Sequence, residues 1–309
     1  MSKEAKEDFL KEPIYPITEP PSYDQSSGKI LSWDFICSEQ AITDNFTLYT
    51  SLDAQEKYKL FKNAKGSEDY IRARDLQQNG FALPVLQANR TLFKLNKFLT
   101  IYKFRPPPAA GTRLFSKKED RYVFCKVERR WSIGYTRYIL EFTPDFDNPN
   151  RKFTVTMIEH SRKPIIDISE FNGKRLRWTY SRYFFSGTHW AYNLNVLPPD
   201  TPSLTDNLTS ENKVNSKNPL LGSSWGNVLI PRSRRGYVYE SNHCVGKLYD
   251  ALQIIGFKST KFTFQKHTMD TNLSPESIFS VDEETMVILC IAAVIKRIEE
   301  IKADARKSR

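Results

Sequence analysis

Lys174, Arg175 and Arg177 follow directly on the turn dipeptide Asn172-Gly173, and cations this close together can hold an anion that carries several phosphates. The arginine fork pairs with phosphate oxygens two at a time, and beside an anionic leaflet each such surface charge adds about 1 kcal/mol of attraction. Arg129-Arg130 and Arg232-Ser-Arg234-Arg235 are further concentrations, and Arg182 lies on the opposite strand parity. The run from Lys174 to Phe185 also interleaves bases with aromatics, as single-strand nucleic-acid binders do. Trp178 and Tyr180 share the face of Leu176, which assigns them to a core ahead of a stacking platform. A solvated basic rim without a ligand accounts for the same charges.

A second group able to do chemistry of recognition is Pro20-Pro21-Ser22-Tyr23, a PPxY sequence. Two prolines pre-set a polyproline II ridge that fits the aromatic groove of a WW domain, and the tyrosine enters a second pocket. The plainer reading is a linker filled with prolines. Catalysis has no positive case. His160, His189, His243 and His267 lie outside any HExxH or metal-ligand spacing, and no GxSxG, P-loop or GxGxxG occurs. Asp145, Asp147, Asn148 and Asn150 lack the glycine and glutamate of a calcium loop and read as a turn. The expectation is no catalytic residue, no metal and no cofactor.

The elements that must carry these residues are mostly strands. Val123, Cys125 and Val127 share one face; Tyr138, Leu140 and Phe142, then Phe153, Val155 and Met157, and after Asn172-Gly173 Leu176, Trp178 and Tyr180, form further inward rows. Trp33, Phe35 and Cys37, and Phe46 and Leu48, alternate likewise, Thr91 to Phe104 reads as strand, and Leu52 to Leu76 is lysine-rich and ambiguous. Strands resume at Val228–Ile230, Tyr237–Tyr239, Val245–Leu248 and Phe262–Phe264. Near the end stands a helix, Asp282 to Ile301, capped by Ser280 or Asp282. From Met286 to Ile295 it carries no charge, so protein must cover it all round. At 1.5 Å per residue that run reaches roughly 15 Å, about half a bilayer core, which excludes a membrane span. A closed barrel threaded by the helix satisfies both elements at once.

Composition agrees. The 309 residues are 39% hydrophobic and 13% aromatic, enough for a large β core, and the net charge of +10 favours anionic partners. Four scattered cysteines, Cys37, Cys125, Cys244 and Cys290, read as reduced core residues. Without a signal-peptide core in its first residues the chain is expected in the cytoplasm, peripheral at membranes when bound, with the nucleus open.

The sequence Phe171-Asn-Gly-Lys-Arg-Leu-Arg-Trp178, then Gly246-Lys-Leu248, then the helix Asp282-Glu-Glu-Thr-Met-Val-Ile-Leu-Cys-Ile-Ala-Ala-Val-Ile-Lys-Arg-Ile298 resembles the fungal tubby C-terminal-like proteins. Through them the chain is similar to the tubby, scramblase and LURP-one-related barrels. The resemblance covers Ile30 to Ile301. It implies a closed antiparallel barrel of about twelve strands around a hydrophobic C-terminal helix. From tubby itself it implies phosphoinositide head groups held by basic surface residues.

The expected organisation is a disordered tail over 1–28 with the PPxY sequence, a barrel domain over 29–301 interrupted by a long polar loop at 198–226, and a basic tail over 302–309. The expected function is a monomeric, non-enzymatic adaptor. Lys174, Arg175 and Arg177 would bind anionic phospholipid head groups, and Pro20, Pro21 and Tyr23 a WW-domain ubiquitin ligase of the HECT type. Scramblase-like lipid transport and nucleic-acid binding are the alternatives. The first asks for palmitoylatable cysteine clusters or a membrane-inserting end, and the apolar helix is too short to be one.

Overall fold

A computed structural model describes residues 29–39, 45–63, 68–90, 96–106, 116–163, 165–181, 191–221, 244–251, 259–268 and 277–308. Pro20, Pro21, Tyr23, the expected strands Val228–Ile230 and Tyr237–Tyr239, and the arginines at 232–235 lie outside the described residues. Twelve strands close into one antiparallel barrel: β1 (Lys29–Glu39), β2 (Phe46–Tyr49), β3 (Leu86–Arg90), β4 (Lys97–Phe104), β5 (Arg121–Ser132), β6 (Tyr135–Phe142), β7 (Phe153–His160), β8 (Ile165–Phe171), β9 (Lys174–Ser181), β10 (Ala191–Val196), β11 (Cys244–Ala251) and β12 (Ser259–Thr268). Each strand pairs with its neighbours in sequence, and β1 closes on β12 with Trp33 opposite Phe264 and Phe35 opposite Phe262. Closure leaves no bare sheet edge.

Through the middle runs α3 (Glu283–Lys307), whose residues Met286 to Ile295 are all buried. Asp282 caps it, accepting from the Thr285 amide at 3.0 Å and the Thr285 hydroxyl at 2.9 Å, while Glu283 and Glu284 complement its positive end. The helix outlasts the expected end at Ile301. Lys302 pairs with both Glu159 of β7 and Glu299 at 2.9 Å, and Arg306 reaches Glu299 at 3.8 Å, so the last turns are tied to the barrel wall instead of leaving as a tail. Burial opposes the charge on Lys302, but Glu159 and Glu299 outweigh it and raise its pKa above the ordinary lysine value. Tyr138 donates to Glu159 and Tyr192 to Glu299, completing a polar plug where the helix emerges.

The inward rows of β6, β7 and β9 are as the alternation predicts. β5 differs. Ile101 faces Cys125 but Tyr102 faces Val123, so a bulge at Phe124 shifts the parity, and Phe124, not Val123, points to the core beside Cys125 and Val127. The ambiguous stretch after β2 forms two helices, α1 (Leu52–Asn63) and α2 (Glu68–Gln78), and α1 packs on the barrel through Tyr58, which lies 5.8 Å from the Tyr49 ring. Leu52, Leu60 and Ile71 remain exposed, which is why no clean 3.6-residue stripe marks these helices in the sequence.

The polar stretch after β10 is described as far as Leu221 and lies on the outer face of β6 to β9. There Leu204, Val214 and Leu220 join Tyr135, Ile158 and Ile165 in a second, smaller core. Two faces of these strands are therefore buried, one by the helix and one by the loop.

Candidate functional site

The tight β8–β9 turn rests on Asn172 and Gly173, with φ of 51° and 69°, the positive pair that a two-residue hairpin requires. It brings out the three cations predicted to bind an anion, but each is engaged within the chain. Lys174 Nζ meets Glu284 Oε1 on α3 at 2.8 Å. The Arg175 guanidinium donates to the carbonyls of Pro199 at 2.6 Å and Thr201 at 2.7 Å and to Asp206 Oδ1 at 2.8 Å. Arg177 is only 6% exposed. Its Nε and Nη2 fork both oxygens of Asp167, itself 0% exposed, and Nη2 also donates to Pro202 O at 2.8 Å. Asp167 accepts a further bond from the Leu204 amide at 2.7 Å.

The expected exposed triad is thus corrected. Parity puts Arg175 and Arg177 outside the barrel as predicted, but the outside of β9 is roofed by the loop from Leu197 to Leu221, and the forks grip that loop. Their chemistry is the carbonyl and carboxylate recognition that arginine performs on phosphate, spent on this chain's own backbone.

The opposite end of the barrel presents a different surface. β5 and β6 meet in the turn Ile133-Gly134, with Gly134 at φ 89°. At this tip Trp131 is 72% exposed and Ile133 is 100% exposed. The tip is braced: the Ser161 amide donates to Gly134 O at 2.9 Å, the side chain of Leu221 lies against Gly134, and the Arg129 guanidinium stands 4.7 Å from the Trp131 ring and 5.0 Å from Phe98. Around it stand the half-buried Arg129, and exposed Lys97, Arg130 and Arg162, with Lys163 next along the β7–β8 turn. The nearby carboxylates are Glu128, which pairs with Arg130 at 2.9 Å, Glu211, which pairs with Lys213, and Glu159, which pairs with Lys302 at 2.9 Å. Positive charge is in excess here. Sequence reasoning noted Arg129-Arg130 but missed Trp131 and Ile133; the available signal was two large apolar residues just before a turn glycine and just after those arginines.

His160 fixes the β7–β8 turn. Its Nδ1 accepts from the amides of Arg162 and Lys163 at 3.0 Å each, which leaves the proton on Nε2, donated to Leu220 O at 3.2 Å. Burial, with Lys163 second, lowers its pKa below 6.5. The imidazole is a neutral bracket between turn and loop.

Among the described residues Cys37, Cys125 and Cys290 are buried. Cys125 of β5 is hydrogen-bonded to Cys290 of α3, and burial first and that neighbour second push the Cys125 thiol well above its ordinary pKa, so no thiolate nucleophile forms. Among the described residues no group of His, Cys, Asp or Glu is arranged to hold a metal ion. Among them, too, no helix is long and apolar enough to cross a membrane.

No curated protein and no solved structure matches the chain at a significant level. The family model described as DIA1 matches residues 32–304, from the first strand of the barrel into the last turns of its central helix. The chain belongs to the DIA1 family.

Proposed function

We propose that this barrel is a non-enzymatic module that binds anionic membrane surfaces, and that it is a tubby-like barrel in the sense the sequence resemblance implies. The observation that carries the reading is the excess of cations at the β5–β6 end, where Lys97, Arg129, Arg130 and Arg162 stand on neighbouring strands and turns and the carboxylates Glu128, Glu159 and Glu211 are each paired with a cation. An anionic leaflet attracts such a patch with about 1 kcal/mol per cation near the surface, falling off within a Debye length. The twelve-strand barrel with its enclosed helix supports the tubby-like reading. The +10 charge of the whole chain supports the sign of the partner.

Nucleic acid fits less well. Trp178 and Tyr180 face the interior, and the Arg129 guanidinium lies over the Trp131 ring, leaving no open row of aromatics for successive bases among the described residues. Scramblase-like transport asks for an inserting helix, and α3 is enclosed. The PPxY sequence extends the proposal to an adaptor: a tail that engages a WW domain would bring a ubiquitin ligase to the membrane the barrel binds.

The experiment is sedimentation of the full chain with vesicles of phosphatidylcholine alone and with added phosphatidylserine or a phosphoinositide, at low and high salt. The proposal expects binding to the anionic vesicles that weakens with salt. Equal binding to neutral and anionic vesicles, or to neither, overturns it.

A further inference from the structure

We infer that the β5–β6 hairpin tip is a membrane-inserting wedge, with Trp131 and Ile133 entering the interfacial layer of an anionic bilayer while Arg129, Arg130 and Arg162 stay at the head groups. The inference rests on the proposed membrane function and names the element that performs it.

Three observations converge on the tip. The first is exposure against type: among the described residues Trp131 at 72% and Ile133 at 100% are the most exposed of the large hydrophobic side chains, and both sit at one hairpin end, separated only by Ser132. Water solvates this surface badly, and a side chain with an apolar body and an N–H donor, as Trp has, suits the bilayer interface. The second is rigidity. A two-residue turn on an eight-residue-plus ladder, with Ser161 bonded to Gly134 O at 2.9 Å and Arg129 over the indole, presents the side chains already ordered. Little conformational entropy is then lost on insertion. The third is the flanking charge, which draws the tip to an anionic surface and keeps it from sinking past the head groups.

Size decides between a lipid and a protein partner. The tip offers one Trp and one Ile, roughly 300 Å² of apolar surface, whereas a stable protein interface needs about 800 Å² from each side. A bilayer has no such threshold, because binding grows with whatever apolar area enters it.

The test uses the full chain with phosphatidylcholine–phosphatidylserine vesicles carrying brominated acyl chains. Wild type is expected to lose tryptophan fluorescence on binding. In Trp131→Phe the quenching should largely vanish while sedimentation stays within about threefold of wild type, since Phe still inserts. The double variant Trp131→Ser, Ile133→Ser should bind at least about tenfold more weakly, with its salt dependence retained because the cations are untouched. Both sites are exposed, so the melting temperature should not move. A double variant that binds as wild type does, or quenching that survives in Trp131→Phe, overturns the wedge and leaves the membrane function standing. A wild type that binds no anionic vesicle removes the function and the wedge together. A wild type that dimerises through the tip, becoming monomeric in the double variant without any change in vesicle binding, reassigns the tip to self-association and overturns the wedge.

Discussion

Replacing Arg177 by Met should unfold the domain at a markedly lower temperature, the opposite of what an exposed lipid-binding arginine would do. The substitution removes the fork from Asp167, which is 0% exposed and is left with the Leu204 amide as its donor, and it frees the Pro202 carbonyl from its partner. Breaking a buried pair from one side costs about 3–5 kcal/mol, because a charge stays buried without compensation. For a domain of this size each kcal/mol lowers the melting temperature by roughly 2 °C, so the expected fall is about 6–10 °C. The assay is a thermal melt by near-ultraviolet circular dichroism, checked by the urea midpoint, with Lys174→Gln as control. That control breaks a partly exposed pair with Glu284 and should cost at most about 1 kcal/mol. The double variant Arg177→Met, Asp167→Leu should regain most of the loss, since no buried charge remains. An Arg177→Met protein that melts within about 2 °C of wild type would refute the account of the clamp.

Three further outcomes are expected, two from the geometry and one from the PPxY sequence. His160 has a folded pKa below its unfolded value near 6.5, so the unfolded chain binds the extra proton first; stability from this group is full above that pH and falls as pH drops through it toward the folded pKa. His160→Gln should flatten the decline in urea midpoint as the pH falls below about 6.5, and an unchanged slope would show that the imidazole is not the group responsible. Truncation before Ser280 removes every buried residue of α3, and since one Leu→Ala change in a core costs about 2–5 kcal/mol, the barrel should not fold; a truncated chain with a cooperative melt contradicts a core built on the helix. In a pull-down with isolated WW domains, wild type should be recovered and Tyr23→Ala should not, and equal recovery of both, or of neither, removes the adaptor reading.

The central helix was legible because nothing but complete enclosure accommodates Met286 to Ile295, and Asn172-Gly173 marked its hairpin because few dipeptides tolerate positive φ in succession. The alternation of β9 told which side chains point out, and Arg175 and Arg177 do point out. What period two does not carry is what lies on top of a face. The loop that roofs β9 comes from residues after the next strand and has no periodicity of its own, so its packing through Leu204, Val214 and Leu220 left no local trace. Val123 failed for a related reason: a bulge is a property of two strands, visible as the Ile101–Cys125 and Tyr102–Val123 pairings and not in either sequence. Trp131 escaped notice because an aromatic in a strand is normally core, and its exposure depends on where the hairpin ends.

Amide hydrogen exchange of the full chain, with and without anionic vesicles, tests the membrane-facing end of the barrel most directly. The account predicts protection over residues 129–135 and the turn at Ser161–Lys163, present with phosphatidylserine or phosphoinositide vesicles and absent with phosphatidylcholine alone, and no change in the β8–β9 hairpin at Asn172–Arg177. Protection confined to Asn172–Arg177, or none at the β5–β6 tip under conditions where the chain sediments with the vesicles, would contradict it.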